Sequence, residues 1–138
     1  PDRIAAGMAL CGGTSLKDVS GLGRLPFWII HGTADRAVPV SKSKTVVEGL
    51  KRDGNDTRLL YDWLNGANHG APARIFYLRK TYDWLFSHSL LDKDRPVRRD
   101  LTIGLDDLRR AYGDVRRNAG APELIEGPSV IKGEGHEY

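Results

Sequence analysis

An α/β arrangement built on a parallel sheet of about three strands is the fold class this sequence predicts, and three observations point to it. Pro26-Phe27-Trp28-Ile29-Ile30 is a continuous apolar run edged by Pro and Gly, the composition of a strand covered on both faces. Asp35 follows in a short loop, at the strand end where open α/β sheets keep their chemistry. A second strand-like run at 57–64 also opens into a glycine-rich loop, Asn65-Gly66-Ala67-Asn68-His69-Gly70-Ala71-Pro72. Asp35 and His69 therefore stand as an acid and base pair, each placed after a strand.

Each element has its own warrant. Residues 4–10 form a small-residue apolar run ending at Cys11-Gly12-Gly13, read as a buried strand leading into a turn. Residues 14–24 mix Ser, Gly, Asp and Lys with isolated leucines, a loop composition with room for a short helical turn. After the Asp35 loop, Ser41 or Ser43 is expected to cap a helix that aligns Val46, Val47 and Leu50 and stops at a left-handed Gly54. This is the crossover helix between parallel strands. Within 57–64, Leu59, Tyr61 and Trp63 face one side and Leu60, Asp62 and Leu64 the other, as in a strand nearer the sheet edge.

Pro72 suits a first helical turn, and Ile75, Leu78, Tyr82 and Leu85 predict the apolar stripe of one helix ending near His88. The aromatics Tyr77, Tyr82, Trp84 and Phe86 are read as core of that helix. Strands and helices thus alternate in βαβα order. Beyond Leu91 the pattern weakens, so the chain divides into a folded portion, 1–91, and a charged tail, 92–138. Within the tail Leu105, Leu108, Ala111, Tyr112 and Val115 predict a helix at about 104–117, and 118–138 reads as a poorly ordered linker.

Composition narrows the function classes. With 40% hydrophobic and 28% charged residues in 138, this is a soluble globular chain of one domain plus a tail. Its net charge of +3 is spread: Lys and Arg number twelve against eight Asp and Glu through Leu91, and nine against ten beyond it. No basic run or nucleic-acid motif accompanies that charge, so nucleic acid is excluded as a partner. No apolar run approaches the roughly 20 residues that span a bilayer. The opening Pro1-Asp2-Arg3-Ile4 has no signal-peptide pattern; localisation stays open, with export expected only if a leader lies upstream. A single cysteine, Cys11, excludes an internal disulfide and any multi-cysteine metal site.

The phrases His31-Gly32-Thr33-Ala34-Asp35-Arg36-Ala37-Val38-Pro39 and Asn68-His69-Gly70 together resemble the acid and histidine loops of α/β-hydrolases, whose triad runs nucleophile, acid, histidine along the chain. They look like those of esterases related to dienelactone hydrolases and polyhydroxyalkanoate depolymerases, a resemblance that covers roughly residues 4–90. No Gly-x-Ser-x-Gly nucleophile elbow occurs in the 138 residues. The resemblance therefore implies the C-terminal part of an α/β-hydrolase sheet, with Asp35 and His69 as triad acid and base and the nucleophile upstream of Pro1. It further implies a small-molecule or polymeric ester substrate, no cofactor, and the N-terminal part of the same domain as partner. Alone, the chain is expected to be inactive and, through an unpaired sheet edge, prone to associate. A peptidase related to prolyl oligopeptidase is the alternative enzyme, and a binding module without a nucleophile the alternative of another class.

Other candidates carry less. His31 ends the central strand, and in the resembling family its counterpart is structural. Cys11 precedes two glycines and a long loop, unlike the strand-to-helix turn a nucleophile needs, and Ser15 and Ser20 lack that elbow too. A metal held by His31, Asp35 and His69 has no supporting ligand spacing, so none is expected. Arginines 95, 98, 99, 109, 110, 116 and 117 alternate with carboxylates, as on a solvated helix and linker.

Overall fold

A computed structural model describes residues 3–15, 17–94 and 100–117 of the chain. Three parallel strands, β1 (Gly7–Leu10), β2 (Phe27–Gly32) and β3 (Leu59–Leu64), form a sheet in the order β1-β2-β3. Phe27 pairs with both Gly7 and Leu59, and Gly32 with Leu64. The strand expected at 4–10 begins only at Gly7. Its neighbour there is Pro26, which accepts a hydrogen bond from the Gly7 N–H at 2.9 Å but has no N–H with which to continue the ladder.

Three α-helices, α1 (Val40–Arg52), α2 (Arg79–Phe86) and α3 (Leu105–Arg117), and 3-10 segments at Ser20–Arg24 and Ala71–Tyr77 complete the described chain. Strand alternation sends Ile29 and Leu59 to one face, where Val46, Val47 and Leu50 of α1 cover them. Trp28, Ile30, Leu60 and Leu64 take the other face and pack with Ile75, Trp84, Ile103 and Leu108. The indole rings of Trp28 and Trp84 meet edge to face at 5.2 Å. Both faces of the central strand are thereby dry, as its uninterrupted apolar run requires.

Several local expectations are corrected. Neither Ser41 nor Ser43 caps α1: Pro39 takes that position without a side-chain hydrogen bond, and Ser43 lies inside the helix, 2% exposed. Gly54, with φ +67°, supplies the expected left-handed stop. The single helix expected after Pro72 is two pieces, because Leu78 is extended (φ −101°, ψ 117°). There the Ile75 carbonyl accepts the Leu78 N–H at 3.0 Å and the Thr81 hydroxyl at 2.9 Å, which replaces the i+4 bond an α-helix would make. The break rotates the inward face onto Thr81 and Trp84, leaving Tyr82 exposed with its hydroxyl bonded to the Phe76 carbonyl. Of the four aromatics read as core, Trp84 alone is buried; Tyr77 is 65% and Phe86 73% exposed.

The helix expected at about 104–117 is α3, and it packs on the same core as the sheet. Asp62 of β3 fastens the segment leading into it, accepting the Trp28 indole N–H at 2.7 Å, the Thr102 hydroxyl, and the Ile103 N–H at 3.2 Å. Lys80 of α2 adds an ion pair to Asp107 at 2.7 Å. Residues 118–138, read from the sequence as linker, lie outside the described residues, as do arginines 95, 98 and 99. No described helix is long and apolar enough to cross a membrane.

Candidate active site

The acid loop leaves β2 and the histidine loop leaves β3 at the same end of the sheet, since the strands are parallel and in register to Gly32 and Leu64. Hydrogen bonds continue past the ladder. The Thr33 N–H reaches the Leu64 carbonyl at 3.0 Å, the Ala34 N–H the Ala67 carbonyl at 3.0 Å, and the Gly66 N–H the Thr33 hydroxyl at 2.8 Å. Gly32 allows this approach, because a Cβ there would lie 2.2 Å from the Ala67 carbonyl oxygen. Gly66, at φ +75°, turns the second loop.

Asp35 and His69, 34 positions apart, meet in this zipped pair of loops. His69 Nδ1 donates to Asp35 Oδ2 at 2.7 Å. The carboxylate is buried, whereas the imidazole side chain is 51% exposed. Asp35 Oδ1 accepts the Ala37 and Val38 N–H groups, each at 2.8 Å, which fixes the rotation of the carboxylate. Burial by itself would push the Asp35 carboxyl up; the bonds from His69, from the Val38 and Ala37 amides and from the Cys11 thiol outweigh it and hold the group well below the usual carboxylate range. An ionised acid thus orients a ring whose Nε2 makes no hydrogen bond among the described residues.

The Asn68 side chain shapes the rest of the histidine loop by accepting the Gly70 and Ala71 N–H groups at 3.2 and 3.0 Å. Pro72 then sits in the first turn of the 3-10 segment Ala71–Tyr77.

Two residues that the sequence assigned no catalytic part, Cys11 and His31, adjoin the pair. Cys11, at the end of β1, has φ +49° and is 5% exposed. Its Sγ lies 3.5 Å from the His69 carbonyl oxygen and within 4.8 Å of an Asp35 carboxylate oxygen. Burial first, with Asp35 beside it, pushes this thiol up against the lowering effect of the Gly32 backbone, so it is a neutral donor and not a thiolate. His31 is fully buried, with Nε2 3.2 Å from Asp35 Oδ2 and 2.8 Å from the Val38 carbonyl, and Nδ1 2.7 Å from Ser43 Oγ.

A signal for this cluster was present in the sequence. Ser43, Val46, Val47 and Leu50 stand at i, i+3, i+4 and i+7, so Ser43 belongs to the inward stripe of α1, and His31 shares the strand face of Ile29.

Cys11, His31 and Asp35 bring one potential metal-ligand atom each within 4.8 Å of one another. Those atoms already have polar partners: Nε2 is hydrogen-bonded to the Val38 carbonyl, and both Asp35 oxygens accept from N–H donors. The donor set fits a hydrogen-bond network better than a cation site.

Parallel strands with helices on both faces, and an acid and a histidine meeting at the strand ends, define an α/β-hydrolase architecture. Residues 16–91 match the model of the prolyl oligopeptidase family, and the chain belongs to that family. Its structure is similar to a thermostable esterase, at 26% sequence identity and a TM-score of 0.55. That similarity covers 62% of this chain and 24% of the esterase, so the chain spans about a quarter of the esterase's length. No match was found among curated proteins.

Proposed function

We propose that the chain supplies the acid and the base of a serine-hydrolase triad, Asp35 and His69, for carboxylic-ester hydrolysis by a domain whose nucleophile lies upstream of Pro1. The observation that carries this reading is the 2.7 Å bond from His69 Nδ1 to the buried Asp35 carboxylate, which leaves Nε2 for a serine hydroxyl. In such a triad the imidazole takes the serine proton as Oγ attacks the ester carbon. It then delivers that proton to the departing alcohol and activates water to release the acyl group. Asp35 holds the Nδ1–H tautomer and stabilises the imidazolium formed on the way. Likeness to an esterase favours esters, and membership of the prolyl oligopeptidase family favours peptides as the second reading.

The test is co-expression of this chain with the segment encoded upstream of it, assayed on short-chain nitrophenyl esters and on peptidyl anilides. Ester turnover by the pair, absent from either part alone, is the expected result. Asp35→Asn should lower kcat by about 10⁴-fold, the effect of losing the correct tautomer. Turnover unaffected by His69→Ala would overturn the assignment; preference for the anilides would select the peptidase.

A further inference from the structure

His31 is a buried titratable group for which the triad has no use, and its contacts set an arithmetic of protons. We propose that His31 carries a proton on both ring nitrogens in the folded chain and acts as a positioning residue, a buried cation fixing the Asp35 carboxylate between two imidazoles. Three contacts form a line: Nε2 to the Val38 carbonyl at 2.8 Å, Nδ1 to Ser43 Oγ at 2.7 Å, and Ser43 Oγ to the Gly12 carbonyl at 2.5 Å. Both ends of the line are carbonyl oxygens, which only accept. Nε2 therefore carries a hydrogen, and the single hydroxyl hydrogen of Ser43 goes to Gly12. The oxygen of Ser43 then offers Nδ1 nothing but lone pairs, so Nδ1 carries a hydrogen as well. A neutral imidazole has one such hydrogen; this line needs two.

The surroundings compensate that charge. Asp35 Oδ2 lies 3.2 Å from His31 Nε2, and both side chains are 0% exposed, so the cation is paired and fully hydrogen-bonded in a dry site. The groups facing it are Val38 and Asp35 from the acid loop, Ser43 from α1, Gly12 and the neutral Cys11 thiol from the end of β1, and His69 across the shared carboxylate. Oδ1 of Asp35 accepts two backbone amides and Oδ2 the His69 ring N–H, with His31 Nε2 3.2 Å away as the compensating charge, which favours the rotamer that faces His69. The role as positioning residue rests on the triad reading of Asp35 and His69, whereas the protonation state does not.

Two-bond ¹H–¹⁵N correlation spectra of the 138-residue chain at neutral pH read the state through carbon-bound ring protons; magic-angle-spinning spectra read the same nuclei if the chain associates. Both His31 nitrogens should resonate as protonated nitrogens, and His69 should show one protonated and one bare nitrogen. Ser43→Ala removes the acceptor for Nδ1 and should return His31 to a single ring proton. A bare Nδ1 on His31 in the unmodified chain overturns the proposal, and so does a doubly protonated His31 that persists in Ser43→Ala. Turnover plays no part in the readout, so an inactive reconstituted domain would count against the triad reading and leave this one standing.

Discussion

Gly32 and Ala67 come so close that a Cβ on the glycine would lie 2.2 Å from the Ala67 carbonyl oxygen and 2.8 Å from its carbon. Backbone stands against backbone there, at the point where the acid loop and the histidine loop are drawn together. Gly32→Ala should therefore separate the loops, with a loss of about 3 kcal/mol, the upper end of overpacking costs. Gly21→Ala, at a position with nothing within 4 Å, should stay within about 0.5 kcal/mol. Urea titrations of the two variants make the comparison; equal midpoints would deny the clash its importance.

Asp35 links stability to pH with a definite sign. Its carboxyl is held below the usual range in the folded chain, so its contribution is fully present above the unfolded value of about 3.9 and is lost as pH falls through the lower folded value. Asp35→Asn should be less stable near neutrality, and the difference should shrink towards about pH 2. Urea midpoints of both proteins across that range provide the check. A constant difference would mean that the ionised carboxylate is not the source.

Asp62 collects three donors from two parts of the chain, Trp28 of β2 and the neighbours Thr102 and Ile103. Asp62→Ala strands the indole N–H of a tryptophan that is 0% exposed and should cost about 1–3 kcal/mol. Because two of the donors lie just before α3, amide exchange should accelerate first in residues 100–111. Uniform acceleration across the sheet would show that Asp62 is not a local clasp.

The division at Leu91 can be probed by size of effect. Ile103 and Leu108 are each 2% exposed within the Trp28 cluster, whereas Leu91 is 91% exposed. Ile103→Ala or Leu108→Ala should cost about 2–5 kcal/mol, and Leu91→Ala less than about 0.5. Such a result would extend the folded portion through α3. Small effects at all three positions would keep 92–138 as a tail.

What the sequence determined by itself was whatever repeats at short range. The uninterrupted apolar run before His31 reads as a two-sided strand, the i, i+3 spacing of Leu105, Leu108 and Ala111 as a helix face, and Gly54 as a left-handed stop. Asp35 and His69 stood out because each follows a strand in a glycine-bearing loop, and parallel strands carry such loops to one end. Tertiary structure decided what depends on distant partners. Ser43 looks like a helix cap until β1 brings the Gly12 carbonyl, 31 residues away, to its hydroxyl. Cys11 looks idle until the histidine loop, 58 residues on, sets the His69 carbonyl beside its sulfur. Helical periodicity ran through Leu78, yet the Thr81 hydroxyl and the Leu78 amide claimed the Ile75 carbonyl and turned Tyr82 outward. Residues 100–111 read as a charged appendage because the carboxylate that fastens them, Asp62, lies 41 positions before Ile103. Hydrogen bonds of 31 to 58 residues' reach leave no local period, and the 34-residue bond from His69 to Asp35 is of that kind.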